Sequence, residues 1–277
     1  MTSVHVPMAE PREAPAGPAR ASARKAFLAI LWRDVFVTGK EFGVLMLQVA
    51  LTPLFMLFIF AKVLGSLNYV SDDFGHLLLP GIVGLAAFLS ALQSVAFPLV
   101  MEFGWTKEIE DRLLAPLPTN MVAIEKMVIA TLRGLLAAVV MFPVSALVLG
   151  SAPWRTEGLP LLVVVLTLGA WVGAGLGITI GTAVPPAKIS IMFALIFTPL
   201  MFTGSTQYPL LSLGENLRWF QIVSALNPLT YVSEGVRAAL VPSIPHVAPA
   251  FCVAALCAFA ALFTATGIRG FRRRALG

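Results

Sequence analysis

Long apolar stretches alternate with short polar ones along most of the chain. Six of them, roughly 43–66, 76–101, 121–150, 159–183, 189–208 and 246–268, are long enough to cross a bilayer, which takes about 20 mostly apolar residues in a helix. Between the second and third lies a polar island, 102–126, reading EFGWTKEIEDRLLAPLPTNMVAIEK. It carries Glu102, Lys107, Glu108, Glu110, Asp111, Arg112, Glu125 and Lys126 in a chain that is only 12% charged. The stretch can be helical up to Ala115, but Pro116 and Pro118 end it, because each lacks an N–H and pushes the preceding residue out of the α region. Thr119 or Asn120 then offers a cap for a new helix near Met121. The pattern predicts a short charged helix, a rigid proline corner and a second helix.

The remaining segments have their own patterns. Residues 1–22, rich in Pro and Ala with scattered charges, are expected to be a disordered cytoplasmic tail. In 23–42, Leu28, Leu31, Trp32, Val35 and Phe36 recur at helical spacing while Arg33 and Lys40 point elsewhere. That predicts an amphipathic helix lying in the headgroup layer with Trp32 at its boundary, or a plain extension of the first span. The fourth span carries Gly169, Gly173, Gly177 and Gly181 four residues apart, a smooth ridge that lets another backbone approach closely. Packing within the subunit is favoured over packing between subunits. The fifth span holds Pro199 and ends in Thr203, Gly204, Ser205, Thr206 and Gln207. The segment 209–245 is half apolar and too short for two crossings. It reads as two short amphipathic helices broken at Asn227 and Pro228, lying at the outer surface or dipping in and returning, and containing Tyr231. Glu234 and Arg237, three apart in the second helix, are placed to pair. The last span closes in IRGFRRRALG, with 271–277 expected as a cytoplasmic tail.

Composition makes this an all-α polytopic membrane protein: 277 residues that are 58% hydrophobic cannot be hidden in one soluble core, since globular proteins average about 25% charged. The net charge of +5 has a topological origin and points to no nucleic acid. With the N-terminus inside, the cytoplasmic side collects Arg12, Arg20, Arg24, Lys25, Arg33, Lys40, Lys107, Arg112, Lys126, Arg133, Lys188, Arg269, Arg272, Arg273 and Arg274. Of the nineteen Lys and Arg, only Lys62, Arg155, Arg218 and Arg237 fall elsewhere. This bias puts both termini and the island in the cytoplasm. Cys252 and Cys257 read as small buried hydrophobes, and the three histidines have no metal-ligand spacing.

No ionisable residue lies near the middle of any span, whereas ion-coupled transport usually needs one. The chain also has no GxxxxGK[ST] phosphate loop. Both absences predict a separate ATPase docked on the island. An ion-coupled carrier or channel, or a non-transport scaffold or lipid-modifying enzyme, is the alternative.

Taken together, ILWRDVFVTGKEF, KEIEDRLLAPLPT, TPLMFTGSTQYP and NPLTYVSEGVRAAL resemble the membrane subunit of a type-2 ABC (ATP-binding cassette) exporter over residues 23–275. The resemblance implies a permease, here expected as a homodimer in a bacterial inner membrane, with two cytoplasmic ATPase subunits that carry the ATP and magnesium. It also implies that the helix after span two is the coupling helix. Glu102, Lys107, Glu108, Glu110, Asp111 and Arg112 would then form its docking surface, with Pro116 and Pro118 fixing the angle. Phe55, Phe58 and Phe60 of span one, and Phe193, Phe197, Phe202 and Thr203 of span five, are candidates for lining a path for an amphipathic or lipid-linked substrate such as a drug, glycolipid or polysaccharide.

Overall fold

The computed structural model of the chain describes residues 54–67, 69, 74–106, 118–150, 154–214 and 217–276, together with 28, 31–33, 36, 39, 43 and 51. The described residues are helical, with short connections and no strand. In chain order the helices are α1 (Leu54–Ser66), α2 (Phe74–Met101), α3 (Thr119–Leu149), α4 (Leu159–Ala183), α5 (Ile189–Thr203), α6 (Arg218–Ala225), α7 (Pro228–Leu240) and α8 (Pro249–Leu276). Among the described residues α2, α3, α4, α8 and, together with the turn Pro186–Lys188 before it, α5 are long and apolar enough to cross a membrane, and α1 is a shorter apolar helix. The beginning of the first expected span lies outside the described residues.

At the centre α2 and α4 are buried over most of their length, and α3, α7 and α8 pack around them. Leu78, Leu79, Ile82, Phe88 and Leu92 of α2 meet Val165 and Val172 of α4 and Val232 and Val236 of α7 in the main core. The α2–α4 approach is set by the glycine ridge. A Cβ on Gly173 would stand 2.4 Å from the Phe88 carbonyl oxygen, and one on Gly177 2.6 Å from that of Leu92. Gly181 faces Leu99 and the Ala96 carbonyl, while Gly169 faces Val232 of α7. Between α4 and α8, Trp171 Nε1 donates to Thr264 Oγ1 at 3.0 Å, and the Thr179 and Thr266 hydroxyls lie 3.0 Å apart. Such polar links help hold helices where lipid supplies no hydrophobic drive.

Two helix boundaries differ from the expected spans. α5 stops at Thr203 rather than near 208, because Gly204 caps it and Ser205 adopts a left-handed backbone at φ 51°. α8 runs to Leu276, so the basic segment expected as a tail continues the helix. Phe271 is buried there and Arg274 bonds to α4, giving the last turns a surface to pack on. Of the cysteines, Cys252 is buried as expected, whereas Cys257 is exposed on the outside of α8.

Candidate functional site

The chain's polar chemistry gathers at the two ends of this bundle. At the end where the island emerges, α2 gives way to a wide π-type turn, Glu102–Thr106, a geometry found often at functional sites. Glu102 lies inside this turn. Both of its carboxylate oxygens accept from Lys126 Nζ of α3 at 2.8 Å, and the two side chains are only 10% and 11% exposed. The next residue, Phe103, packs edge-on against Phe271 of α8 at 5.7 Å and carries the Arg274 guanidinium over its ring at 4.9 Å. Gly104 lies against the Pro186 ring, closely enough that a Cβ would come within 2.0 Å of it. From α8, Arg274 Nη1 donates to the carbonyls of Gly181, Thr182 and Val184 at 3.0–3.1 Å. These oxygens belong to the C-terminal end of α4 and its connection, where carbonyls lack helical partners and a cation is favoured.

Of the residues expected to dock a partner, Lys107, Glu108, Glu110, Asp111, Arg112 and Pro116 lie outside the described residues. Pro118 is extended immediately before α3, at φ −57° and ψ 136°. Glu102, expected on the docking surface, is instead turned inward onto Lys126. Its partner and Arg274 were missed by sequence reasoning. The signal for the first was an acid and a base at the two borders of the island, each next to apolar sequence.

The far end holds a second polar junction. α6 and α7 form a re-entrant hairpin: Asn227 lies beside Leu200 of α5, inside the bundle, and α7 then climbs back until Ala239 packs on Gly158 at the start of α4. Its thirteen residues rise about 20 Å, and every one is buried. Asn227 caps α7 by accepting from Leu229 N–H at 2.9 Å, with Pro228 in the first turn as helix starts favour. The Asn227 side chain also closes α5. Its Nδ2 donates to Leu200 O, Thr206 Oγ1 to Met201 O, Tyr208 OH to Phe202 O and Thr230 Oγ1 to Thr203 O, at 2.7–3.2 Å. The last four carbonyls of α5 are thus each taken by a side chain, which is what a helix ending inside a bundle requires.

The expected pair is present and fully buried: Arg237 Nη1 donates to Glu234 Oε1. Glu234 also accepts from Leu210 N–H and Val247 N–H, both at 2.9 Å, and Arg237 Nη2 donates to Ser205 O at 3.0 Å. One carboxylate and one guanidinium therefore fasten the loop after α5 and the loop before α8 onto α7. Tyr231, in the same helix, donates to Ala225 O at 2.7 Å and packs against Phe251 and Phe259 of α8.

None of the remaining described candidates is fully buried. Phe55 and Phe58 of α1 and Phe202 of α5 are about half exposed, Phe197 is partly buried, and no described residue of α5 is buried. Thr203, expected along a path, donates to Pro199 O and accepts from Asn227, so its hydroxyl is engaged within the junction. In the N-terminal segment Leu28, Trp32 and Phe36 are helical and expose one apolar face, with Arg33 exposed beside Trp32. Lys40 lies outside the described residues. Among the described residues no three metal-binding side chains come together.

A bundle of this kind, with a re-entrant hairpin before the last span and a polar insertion after α2, is that of an all-α polytopic membrane protein, and the family comparison makes it a membrane permease. The chain belongs to the ABC-2 type transporter family, which matches residues 25–241. It is similar to the inner membrane transport permease YadH of Escherichia coli K12, with 27% identity over 184 residues, 65% of this chain and 68% of that protein. It is also similar to the putative transport permease ycf38 of Porphyra purpurea, with 24% identity over 178 residues, 62% of this chain and 58% of that protein. No solved structure matches the chain.

Proposed function

We propose that this permease is the membrane half of an ATP-driven exporter in a bacterial inner membrane, energised by a separate ATPase, two per complex, that docks from the cytoplasm on residues 107–117. The observation that carries this reading is positional. The island emerges between α2 and α3 at the bundle end that also carries Lys126, Lys188, Arg269, Arg272, Arg273 and Arg274, the sign of a cytoplasmic face. Pro116 and Pro118 close the charged stretch in the sequence, and a proline corner there would transmit a push rather than absorb it. The exposed faces of α1 and α5, with Phe55, Phe58 and Phe202, suit contact with a second copy of the permease, and the cargo is an amphipathic or lipid-linked molecule. The ATP and magnesium belong to the ATPase.

The test is charge reversal at Glu108 and Asp111 in permease co-expressed with its ATPase. Co-purified ATPase should fall at least tenfold while the permease keeps its thermal midpoint. Undiminished co-purification would reject docking at the island.

A further inference from the structure

We propose that Glu102, Lys126 and Arg274 are positioning residues that fix the root of the island to α3, α4 and α8, so that displacement of the island moves the whole bundle rather than bending its own attachment. The inference rests on the docking reading above and adds the residues that would transmit the stroke. Its basis is the continuity of contacts at this end. The pair Glu102–Lys126 bridges 24 positions of sequence and ties the exit of α2 to the first turns of α3, with both carboxylate oxygens on one ammonium. It adds a charged link to the apolar contact that Val95 and Leu99 of α2 make with Val122, Ala123 and Met127 of α3 at this end. One residue on, Phe103 lies between Phe271 and Arg274 of α8. Arg274 in turn grips three backbone carbonyls at the end of α4. A π-type turn carries Glu102 and Phe103, so the linkage is built where the helix departs from regular winding and two adjacent side chains reach different neighbours. Lys126 also balances a carboxylate that is almost fully enclosed, and an enclosed ion pair holds its geometry better than a solvated one.

The experiment uses the permease–ATPase complex in lipid nanodiscs and needs no cargo. Hydrogen exchange of the far-end segments 204–213 and 241–249 is compared between nucleotide-free and ATP–vanadate-trapped complex, alongside the amount of bound ATPase and the rate of ATP hydrolysis. In the parent complex the far end should respond to trapping. In Glu102→Gln, Lys126→Met and Arg274→Gln the response per bound ATPase should fall at least fivefold. The exchange Glu102→Lys with Lys126→Glu should restore at least half of it, which rescue of bulk packing alone would not do for a charge pair of reversed direction. Full response in all three single variants overturns the proposal, as does failure of the exchanged pair to recover while the complex remains assembled. A parent complex with no far-end response overturns it too, because there is then no displacement to transmit. The outcome is separable from the docking reading, since Glu108 and Asp111 report on association alone whereas this readout is normalised to ATPase already bound.

Discussion

Replacing Glu234 by glutamine tests the buried pair most directly. The carboxylate receives Arg237 Nη1 and the N–H groups of Leu210 and Val247, and both members of the pair are closed off from solvent. Glutamine has one acceptor oxygen in place of two and an NH₂ that donates. One backbone N–H then faces a donor, an unmet bond costing about 1–3 kcal/mol. Arg237 also loses its counter-charge while fully enclosed, with Ser205 O its other bonded acceptor. Removing one member of a buried pair costs about 3–5 kcal/mol. The two losses share a network and do not add fully, so the expected total is about 3–6 kcal/mol. At about 2–4 °C per kcal/mol for a chain of this size, thermal unfolding of the detergent-purified protein, followed by tryptophan fluorescence, should move down by about 10 °C. Combining Glu234→Gln with Arg237→Met should cost less than the sum of the two single changes by at least about 1 kcal/mol, the mark of coupled neighbours. The exposed pair Arg155–Glu157 is the control: Glu157→Gln should change stability by less than about 0.5 kcal/mol. A Glu234→Gln midpoint within about 3 °C of the parent, or strict additivity with Arg237→Met, would refute the reasoning.

Two further outcomes follow from close approach and exposure. Gly173→Ala places a methyl 2.4 Å from the Phe88 carbonyl and should destabilise by about 1–3 kcal/mol, as overpacking does. Gly65→Ala, with nothing within 4 Å, should be neutral or gain up to about 1 kcal/mol from helix propensity; equal thermal midpoints for the two variants would contradict the α2–α4 packing. A lipid-soluble maleimide should modify Cys257 and spare Cys252, as read by mass spectrometry of the intact chain, because only the former is exposed. Equal labelling of both would mean that the contact between α7 and α8 is open.

The spans were legible because a run of about twenty apolar residues matches the thickness of a bilayer and has no stable place in water, and the Pro228 boundary because proline and an Asn cap act locally. The glycine ridge announced a close neighbour by its spacing, though Phe88 and Leu92, which meet it, carry no mark of their own in the sequence. The Glu234–Arg237 pair was visible as two charges one helical turn apart. Its backbone partners Leu210 and Val247 were not, since any residue but proline supplies an N–H. Glu102 misled because it heads a run of charges that looks uniformly solvated. Only three-dimensional proximity to Lys126 marks it out, and the same holds for Arg274 among its neighbouring arginines. The length of α5 was overestimated because hydroxyl and glycine residues past Thr203 are apolar enough to continue a span on composition, while Thr206 and Tyr208 spend their hydroxyls on closing it.

The burial of α7 from end to end has a consequence for how the protein is made. A thirteen-residue segment holding a glutamate and an arginine is too short and too polar to be released into lipid as a span of its own. It finds its surroundings only when α2, α4 and α8 stand around it, and α8 is the last of these to leave the ribosome. The hairpin must therefore wait at the membrane surface until synthesis of the chain is nearly finished, and a nascent protein halted before α8 would hold its most enclosed helix without a place to go.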